Sequence, residues 1–287
     1  MNNSDIISKL KKSVASKYGA DALHTPDELD GVLDSQVKLW IKTGIPGLDG
    51  VLGSEEKGIP SGKLIEIYGP EGQGKSSLLY YLLGLVQKQG GIAGLIDSEL
   101  SYDPARGALF GIDNSQLLLI NIDDEVGCLE EVFDRIEYIS KEIRSKSDDV
   151  FLLWGLDTVY ATPTLDAMKA SSYKDAVRIA ALARALSQSL PRFCQFIAKQ
   201  KVGMVFINQV RENIGVMFGD QYKTPGGMAL KHHTSIRAIV KRKRKHQSGN
   251  IDSTVTNVKN KLANPFGSVE FKIDQKKGIL EIKKAKK

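Results

Sequence analysis

The sequence predicts an α/β fold: a mostly parallel, twisted sheet flanked by helices, with antiparallel hairpins at one edge. From about residue 37, short continuous apolar segments alternate with longer segments of helical periodicity, which is typical of parallel strands buried on both faces. After about residue 235 the apolar segments follow one another closely, and this spacing indicates hairpins. A small helical module is predicted before this core.

The N-terminal module is predicted from four apolar residues that recur at helical spacing. These are Ile6, Ile7, Leu10 and Val14. A polar, turn-rich stretch at 19–31 indicates a linker. We expect the helix to dock on a neighbouring copy, and packing on its own core is the alternative. The predicted divisions are 1–34 (oligomerisation helix and linker), 35–275 (core) and 276–287 (short basic tail).

The elements of the core follow from the same periodicities. The predicted parallel strands are 63–68, 92–97, 117–120, 150–156, 202–208 and 235–242. The predicted helices between them are 75–89, 104–110, 127–145 and 175–200. The predicted hairpin strands are 235–243, 254–261, 268–274 and 278–283.

The composition excludes several classes of protein. The chain has 287 residues, of which 41% are hydrophobic and 26% are charged, so a disordered or fibrous protein is excluded. A net charge of +6 is compatible with a polyanionic partner. Two cysteines in apolar segments indicate a reducing compartment, and no apolar run approaches the roughly 20 residues of a membrane span. With no signal-peptide pattern at the start, we expect a cytoplasmic protein.

The strongest motif is a phosphate-binding loop between a predicted strand and a predicted helix. Its glycines let backbone N–H groups surround phosphate oxygens at a helix N-terminus. Lys75 is expected to reach the β- and γ-phosphates of ATP, and the Ser76 hydroxyl to hold Mg²⁺. A chance glycine-rich turn is the alternative, which the strand–loop–helix context disfavours. The predicted nucleotide-binding residues here are Gly69, Pro70, Glu71, Gly72, Gln73, Gly74, Lys75, Ser76 and Ser77.

Acidic residues follow two predicted parallel strands, whose carboxyl ends meet at one edge of the sheet. Asp157 is expected to hold Mg²⁺ through a coordinated water, and a turn cap is its alternative role. Asp97 and Glu99 are two residues apart and point the same way in an extended chain. Glu99 extends past the strand and is the better candidate for the base that activates water, with a surface acid as the alternative.

A polar pair, Asn208 and Gln209, ends another predicted strand and precedes a long loop. One of these amides is expected to contact the γ-phosphate, and a turn-initiating pair is the alternative. The loop 211–227 mixes apolar, aromatic and basic residues, a composition that suits stacking and phosphate contacts with single-stranded nucleic acid. A loop tucked into a partner interface is the alternative.

These residues together resemble the RecA family of recombinases, both bacterial and phage-encoded. The resemblance covers about residues 35–275, and its most specific block is FINQVRENIGVMFG (206–219) followed by GGMALK (226–231). Further matching segments are EIYGPE (66–71), IDSE (96–99) and VKNKLANPF (258–266). The resemblance implies a DNA-dependent ATPase that forms helical filaments on single-stranded DNA, pairs it with homologous duplex DNA and exchanges strands. A DNA-repair accessory or motor ATPase of the same fold, without strand exchange, is the alternative.

The resemblance also implies roles for individual residues. Glu99 becomes the general base, Gln209 the γ-phosphate sensor, and Ile214 a wedge between bases. Lys259 and Lys261 would reach a neighbouring subunit's ATP; without the resemblance they read as a solvated strand edge. The implied DNA-binding residues are Lys169, Lys174, Arg211, Ile214, Met217, Phe218, Lys223, Gly226 and Gly227. Partners implied are a single-strand-binding protein and a loader.

Several departures from the family pattern bear on function, and two of them concern the nucleotide base and the C-terminal domain. Arg106 stands just after Asp103 where the family usually has a tyrosine that stacks on adenine, so Arg106 and Asp103 are expected at the base of the nucleotide. The chain ends near residue 287, so we expect the family's C-terminal domain to be missing.

The basic run 241–245 is predicted to be a solvated hairpin, with phosphate contacts as its alternative.

Overall fold

The computed structural model describes residues 2–29, 36–122, 127–169, 178–212 and 222–284. The chain divides into two compact units, Met1–Gln36 and Val37–Lys287. The first unit contains helix α1 (Asn3–Tyr18) and two short 3₁₀ turns. A capping box begins α1, because the Asn2 side chain accepts from the Asp5 backbone and the Asp5 carboxylate accepts from the Asn2 backbone.

The second unit is built on a nine-stranded sheet, which confirms the predicted fold class. Its strands are β3 (Leu64–Gly69), β4 (Ile92–Asp97), β5 (Leu118–Asn121), β6 (Leu152–Asp157), β7 (Val202–Gln209), β10 (Ile236–Lys245), β11 (Ile251–Asn260), β12 (Ser268–Asp274) and β13 (Gly278–Lys284). Their spatial order is β13-β12-β11-β10-β3-β7-β6-β4-β5. Neighbours from β10 through β5 pair in parallel, and β10 to β13 form antiparallel hairpins.

Short strands and helices complete the unit. Two small ladders join β1 (Trp40–Ile41) to β2 (Ile59–Pro60) and β8 (Arg211–Glu212) to β9 (Tyr222–Lys223). The helices are α2 (Pro46–Leu52), α3 (Lys75–Lys88), α4 (Pro104–Leu109), α5 (Leu129–Lys146), α6 (Leu165–Met168), α7 (Arg178–Lys199) and α8 (Gly227–His233). In the described ranges, no helix is long and apolar enough to cross a membrane.

Three of the four hairpin strands, β10, β11 and β13, are longer than the sequence predicts, and β12 matches its predicted range. β10 continues through the basic run to Lys245, because residues 241–245 pair with the start of β11 at Ile251–Thr254. The basic side chains themselves are exposed, so this run is a solvated hairpin as predicted.

Two apolar clusters cover the two faces of the sheet. One contains α2, α3 and the hairpins, and the other contains α5 and α7. Gly155 on β6 faces α3, where a Cβ atom would lie 2.6 Å from Leu79 Cδ1. A larger residue would push α3 outward, so this glycine lets the helix that follows the phosphate loop lie close to the sheet.

Candidate nucleotide-binding site and its neighbouring loops

The phosphate loop joins the end of β3 to the start of α3, in the strand–loop–helix context that the motif predicts. Gly72 and Gly74 have φ of +66° and +97°, in the left-handed region that side chains disfavour. A Cβ atom on Gly74 would also lie 2.2 Å from Ile273 Cδ1. These positions therefore require glycine, and the loop leaves backbone N–H groups at the beginning of α3 available to an anion.

Lys75 is a buried cation at the start of α3, with only 7% of its surface exposed. Its Nζ donates to the Pro70 carbonyl at 2.8 Å, so the amine curls back over the phosphate loop. Burial lowers the pKa of Lys75, and the nearby carboxylates of Asp157, Glu99 and Glu71 oppose this change. A phosphate group bound in the loop would compensate the buried charge.

Asp157 ends β6 directly beside Asp97, its register partner at the end of β4. Burial raises the pKa of Asp157 to about 6, and a hydrogen bond from the Ser76 side chain opposes the rise. Its Oδ1 atom is buried and has no hydrogen-bond partner in the described part of the chain. A buried, unpartnered carboxylate oxygen next to a serine hydroxyl fits a Mg²⁺ ion, which prefers oxygen ligands.

Asp97 and Glu99 do not face the same group, contrary to the expectation from extended geometry. Asp97 is buried and accepts from the Tyr102 backbone N–H at 2.7 Å. The strand ends at Asp97, so alternation no longer applies at Glu99, which is exposed. Asp97 therefore holds the turn that follows β4, and Glu99 is the carboxylate that faces the cleft.

Glu99 accepts hydrogen bonds from two side chains on neighbouring strand ends. Thr158 Oγ1 donates to Glu99 Oε1 at 3.0 Å, and Gln209 Nε2 donates to the same oxygen at 3.3 Å. The sequence interpretation missed Thr158, although its position directly after Asp157 was the available signal. These contacts hold Glu99 between the phosphate loop and the residue that precedes the 211–227 loop.

Nine of the predicted residues share one open cleft with three residues that the sequence interpretation did not select. Its lining comprises Glu71, Gly72, Gly74, Lys75, Ser76, Ser77, Glu99, Arg106, Thr158, Gln209, Ile251 and Ile273. The two isoleucines come from the hairpin strands, and neither carries a chemical signal in the sequence. Arg106 Nη2 donates to Ser77 Oγ at 3.1 Å, which places the guanidinium at the cleft wall.

Two further predicted nucleotide residues make structural contacts outside the cleft lining. Asp103 caps α4 by accepting from the Ala105 backbone N–H at 2.9 Å. Gln73 links the phosphate loop to β10, since its side-chain oxygen accepts from the Arg242 backbone N–H. A nucleotide contact by Asp103 or Gln73 remains a prediction.

Of the amide pair, Gln209 alone lines the cleft. Asn208 is fully buried, and its Nδ2 donates to Glu66 Oε1 and to the Pro225 carbonyl, both at 3.0 Å. Successive side chains of a strand point to opposite faces, and this alternation separates the two roles.

The predicted DNA-binding residues fall partly on described segments. Lys174, Ile214, Met217 and Phe218 lie outside the described residues. Lys169 and Lys223 are exposed, after α6 and on β9. Arg211 pairs with Lys223 across the β8–β9 ladder.

Gly226 and Gly227 pack at the end of the 211–227 loop. They have positive φ, and added Cβ atoms would meet α7 at Leu186 (2.7 Å) and Ala183 (3.1 Å). These glycines therefore let the loop end and α8 approach α7.

Lys259 and Lys261 lie near the amino-terminal end of β3, away from the phosphate loop. Lys259 pairs with Arg237, the neighbour of Glu66, and its Nζ donates to the Lys231 carbonyl at 2.6 Å. Lys261 Nζ lies 3.5 Å from the His232 carbonyl. Because the phosphate loop follows the opposite end of β3, these amines are not placed at the cleft of their own chain.

Asp157 makes the stability of the cation-free protein dependent on pH. The pKa of Asp157 in the folded protein, about 6, exceeds the ordinary 3.8. Its contribution to the free energy of unfolding is therefore fully present below about pH 4, where the carboxyl is neutral, and is lost as the pH rises through 6 and the buried group ionises. We expect the unfolding free energy of wild type, relative to Asp157→Asn, to fall by up to about 3 kcal/mol across that range. Urea unfolding of both proteins in chelator measures this difference, and a pH-independent difference would contradict the assignment.

The fold and the cleft define a nucleoside-triphosphate-binding α/β protein of the phosphate-loop class. The model of the RecA N-terminal domain matches residues 6–280. Protein RecA of Mesomycoplasma hyopneumoniae (strain 7448) is 34% identical over 284 residues, covering 97% of this chain and 79% of that protein. Protein RecA of Cytophaga hutchinsonii is 35% identical over 282 residues, covering 96% of this chain and 73% of that protein. Protein RecA of Sinorhizobium medicae is 35% identical over 255 residues.

The chain belongs to the RecA family and is a recombinase of the RecA type. The recombinase interpretation is thereby favoured over the accessory or motor ATPase that shares the fold.

Proposed function

We propose that the protein hydrolyses ATP in a DNA-dependent manner and uses this cycle to form filaments on single-stranded DNA and exchange strands with homologous duplex DNA. The observation that carries the proposal is the contact between Glu99 and Gln209. It joins the candidate base for hydrolysis to the residue at the end of β7, two residues before the start of the predicted DNA-binding loop. Hydrolysis or release of the γ-phosphate would therefore change the contacts of both Glu99 and Gln209.

The cleft supports ATP with Mg²⁺ as the ligand. Lys75 and the backbone N–H groups of the phosphate loop would bind the phosphates, and Ser76 with Asp157 would hold the cation. Mg²⁺ would neutralise charge on the phosphates and orient them. Glu99 would accept a proton from the attacking water, while Thr158 and Gln209 fix the orientation of its carboxylate.

The base of the nucleotide would lie at the end of the cleft formed by Arg106, Ile251 and Ile273. A guanidinium plane can stack on a purine ring as an aromatic side chain does. Ser77 and Phe110 hold the Arg106 guanidinium, which lies 5.7 Å from the Phe110 ring centroid. The arginine can therefore serve where the family usually has a tyrosine.

Lys259 and Lys261 would act on the ATP of a neighbouring subunit. Desolvation lowers the pKa of Lys259, and the cations Lys261 and Arg237 add to this effect. The negative charge of an approaching phosphate would instead stabilise the protonated amine. The distance of these lysines from their own phosphate loop supports action in trans. The apolar residues of α1, Ile6, Ile7 and Leu10, are about half exposed and would contribute to the same assembly.

The cellular setting of this activity is part of the proposal. Cys128 and Cys194 are both free thiols, which supports a reducing compartment such as the cytoplasm. A single-strand-binding protein and a loader would be the accessory partners.

Single-stranded DNA is expected to stimulate ATP hydrolysis strongly, and duplex DNA much less. Replacing Ile214 and Phe218 together with alanine should remove most of this stimulation and weaken single-strand binding by about tenfold or more, because one aromatic stacking contact of the kind Phe218 can make is worth roughly 1–3 kcal/mol and the Ile214 wedge is lost with it. Nucleotide affinity without DNA should stay unchanged. Steady-state hydrolysis and oligonucleotide binding at one fixed salt and Mg²⁺ concentration measure both effects.

Tyr138→Ala is the matched control, since this exposed aromatic side chain lies on α5. It should bind DNA and respond to it as wild type does. Absence of stimulation in wild type would contradict the DNA-dependent ATPase. Equal DNA affinity of wild type and the double variant would contradict the assignment of the loop.

A further inference from the structure

A fully buried carboxylate lies in the strand that leads into the phosphate loop. Glu66 is central in β3, three residues before Gly69, and none of its surface is exposed. Arg237, its register partner on β10, donates from Nε to Glu66 Oε2 at 2.5 Å. The Arg237 side chain is itself only 11% exposed. This ion pair therefore joins two neighbouring strands inside the sheet.

The same pair holds the downstream end of the 211–227 loop. Asn208 Nδ2 bridges Glu66 Oε1 and the Pro225 carbonyl, at 3.0 Å to each. Arg237 Nη2 donates to Thr224 Oγ1 at 3.3 Å, and its guanidinium lies 4.6 Å from the Tyr68 ring centroid. Thr224 and Pro225 follow directly after β9, so the loop end is bound to β3 through side chains of β7 and β10.

We propose that Glu66, Arg237 and Asn208 form a positioning network that couples the nucleotide site to the affinity of the 211–227 loop for single-stranded DNA. The inference rests on the proposed function, in which this loop binds DNA. Glu66 is fully buried, and its two oxygens accept from Arg237 and from Asn208 Nδ2, so a movement of Glu66 would leave one of these donors unpaired. A shift of β3 at the phosphate loop is therefore transmitted to Thr224 and Pro225 at the loop end.

A role in stability alone is the competing explanation, and general energetics disfavour it. Buried ion pairs can often be replaced by apolar residues of similar volume without loss of stability. Neither Glu66 nor Arg237 lines the nucleotide cleft, so direct substrate contact does not account for them either. The network supplies directed hydrogen bonds between three strands and the loop end, which apolar residues cannot form.

The test compares single-strand affinity in two nucleotide states. We would measure binding of a fluorescent oligonucleotide by anisotropy, with ADP and with a non-hydrolysable ATP analogue, at fixed salt. The double variant Glu66→Met/Arg237→Met removes both charges together and should remain folded. We expect the gain in DNA affinity from ADP to the ATP analogue to become at least about fivefold smaller than in wild type. Affinity for the nucleotide itself should be unchanged.

Arg144→Met is the matched control. Arg144 is a half-buried arginine that donates to backbone carbonyls of Val150 and Gln200, at 2.8 and 2.7 Å, and within the described ranges none of its hydrogen bonds reaches the loop end. Its replacement should lower stability without changing the nucleotide dependence of DNA binding. A second variant, Asn208→Leu, removes the bridge to Pro225 while keeping the ion pair, and it replaces the double variant if the latter does not fold.

The outcomes separate the inference from the function on which it rests. If the gain in single-strand affinity from ADP to the ATP analogue is as large in the variants as in wild type, the network has no coupling role. If wild type binds no single-stranded DNA in either state, the proposed function fails and the inference with it. If Arg144→Met also loses the gain in DNA affinity from ADP to the ATP analogue, the loss is a general effect of destabilisation, and this result would also overturn the inference.

Discussion

Replacing Lys75 with alanine is expected to abolish ATP-dependent assembly and to lower ATP hydrolysis by about two to three orders of magnitude, the loss typical of removing one preorganised group that stabilises developing charge. Lys75 is held over the phosphate loop by the Pro70 carbonyl, in a buried position where a cation interacts strongly with phosphate oxygens. Nucleotide affinity, measured by titration with a fluorescent ATP analogue, should fall in parallel with hydrolysis.

The fold of the Lys75→Ala variant should survive. Desolvation of the Lys75 amine already disfavours its charged form in the absence of nucleotide, so removing it relieves a cost. Lys88→Ala is the matched control, because Lys88 is an exposed lysine at the other end of α3. Normal ATP-dependent filaments of Lys75→Ala on DNA, seen by electron microscopy, would overturn the phosphate-loop assignment.

Replacing Glu99 with glutamine is expected to lower hydrolysis by about 10²- to 10⁴-fold, the contribution typical of a general base. The amide keeps the shape of the side chain, and its oxygen can still accept from Thr158 and Gln209. Nucleotide binding and filament formation should therefore remain, while proton transfer from water is lost. Single-turnover hydrolysis, measured beside ATP-dependent assembly, separates the two effects.

Glu142→Gln provides the control for the loss of one carboxylate, since Glu142 is an exposed residue of α5. It should hydrolyse ATP at the wild-type rate. Equally slow hydrolysis by wild type and Glu99→Gln would remove the base assignment. ATP would then act only as an assembly ligand, and the protein would coat DNA without acting as an ATPase.

The phosphate loop was predictable from sequence because all of its chemistry lies in one short segment. The glycines, Lys75 and Ser76 are contiguous, and the strand and helix on either side have clear periodicities. Asp157 and Glu99 were predictable for a related reason. Asp157 ends one buried parallel strand and Glu99 lies two residues past the end of another, and the carboxyl ends of such strands necessarily meet at one edge of the sheet.

The partners of these residues were not predictable, since they depend on strand order. Glu66 and Arg237 are 171 residues apart, and only the parallel pairing of β10 with β3 brings them together. Likewise, Ile251 and Ile273 reach the cleft because the hairpins extend the sheet beside the phosphate-loop strand. An ordinary isoleucine or arginine in a strand carries no signal of such a contact.

The sequence by itself determined the α/β class, the phosphate loop and the strand ends that supply acidic groups, because local pattern and chain connectivity specify these features. The tertiary structure decided which side chains meet: Gln209 rather than Asn208 at the cleft, Thr158 on Glu99, and Asn208 on Glu66. The physical reason is that a side chain's direction and neighbours are set by strand register and packing across the sheet, which involve residues far apart in the chain.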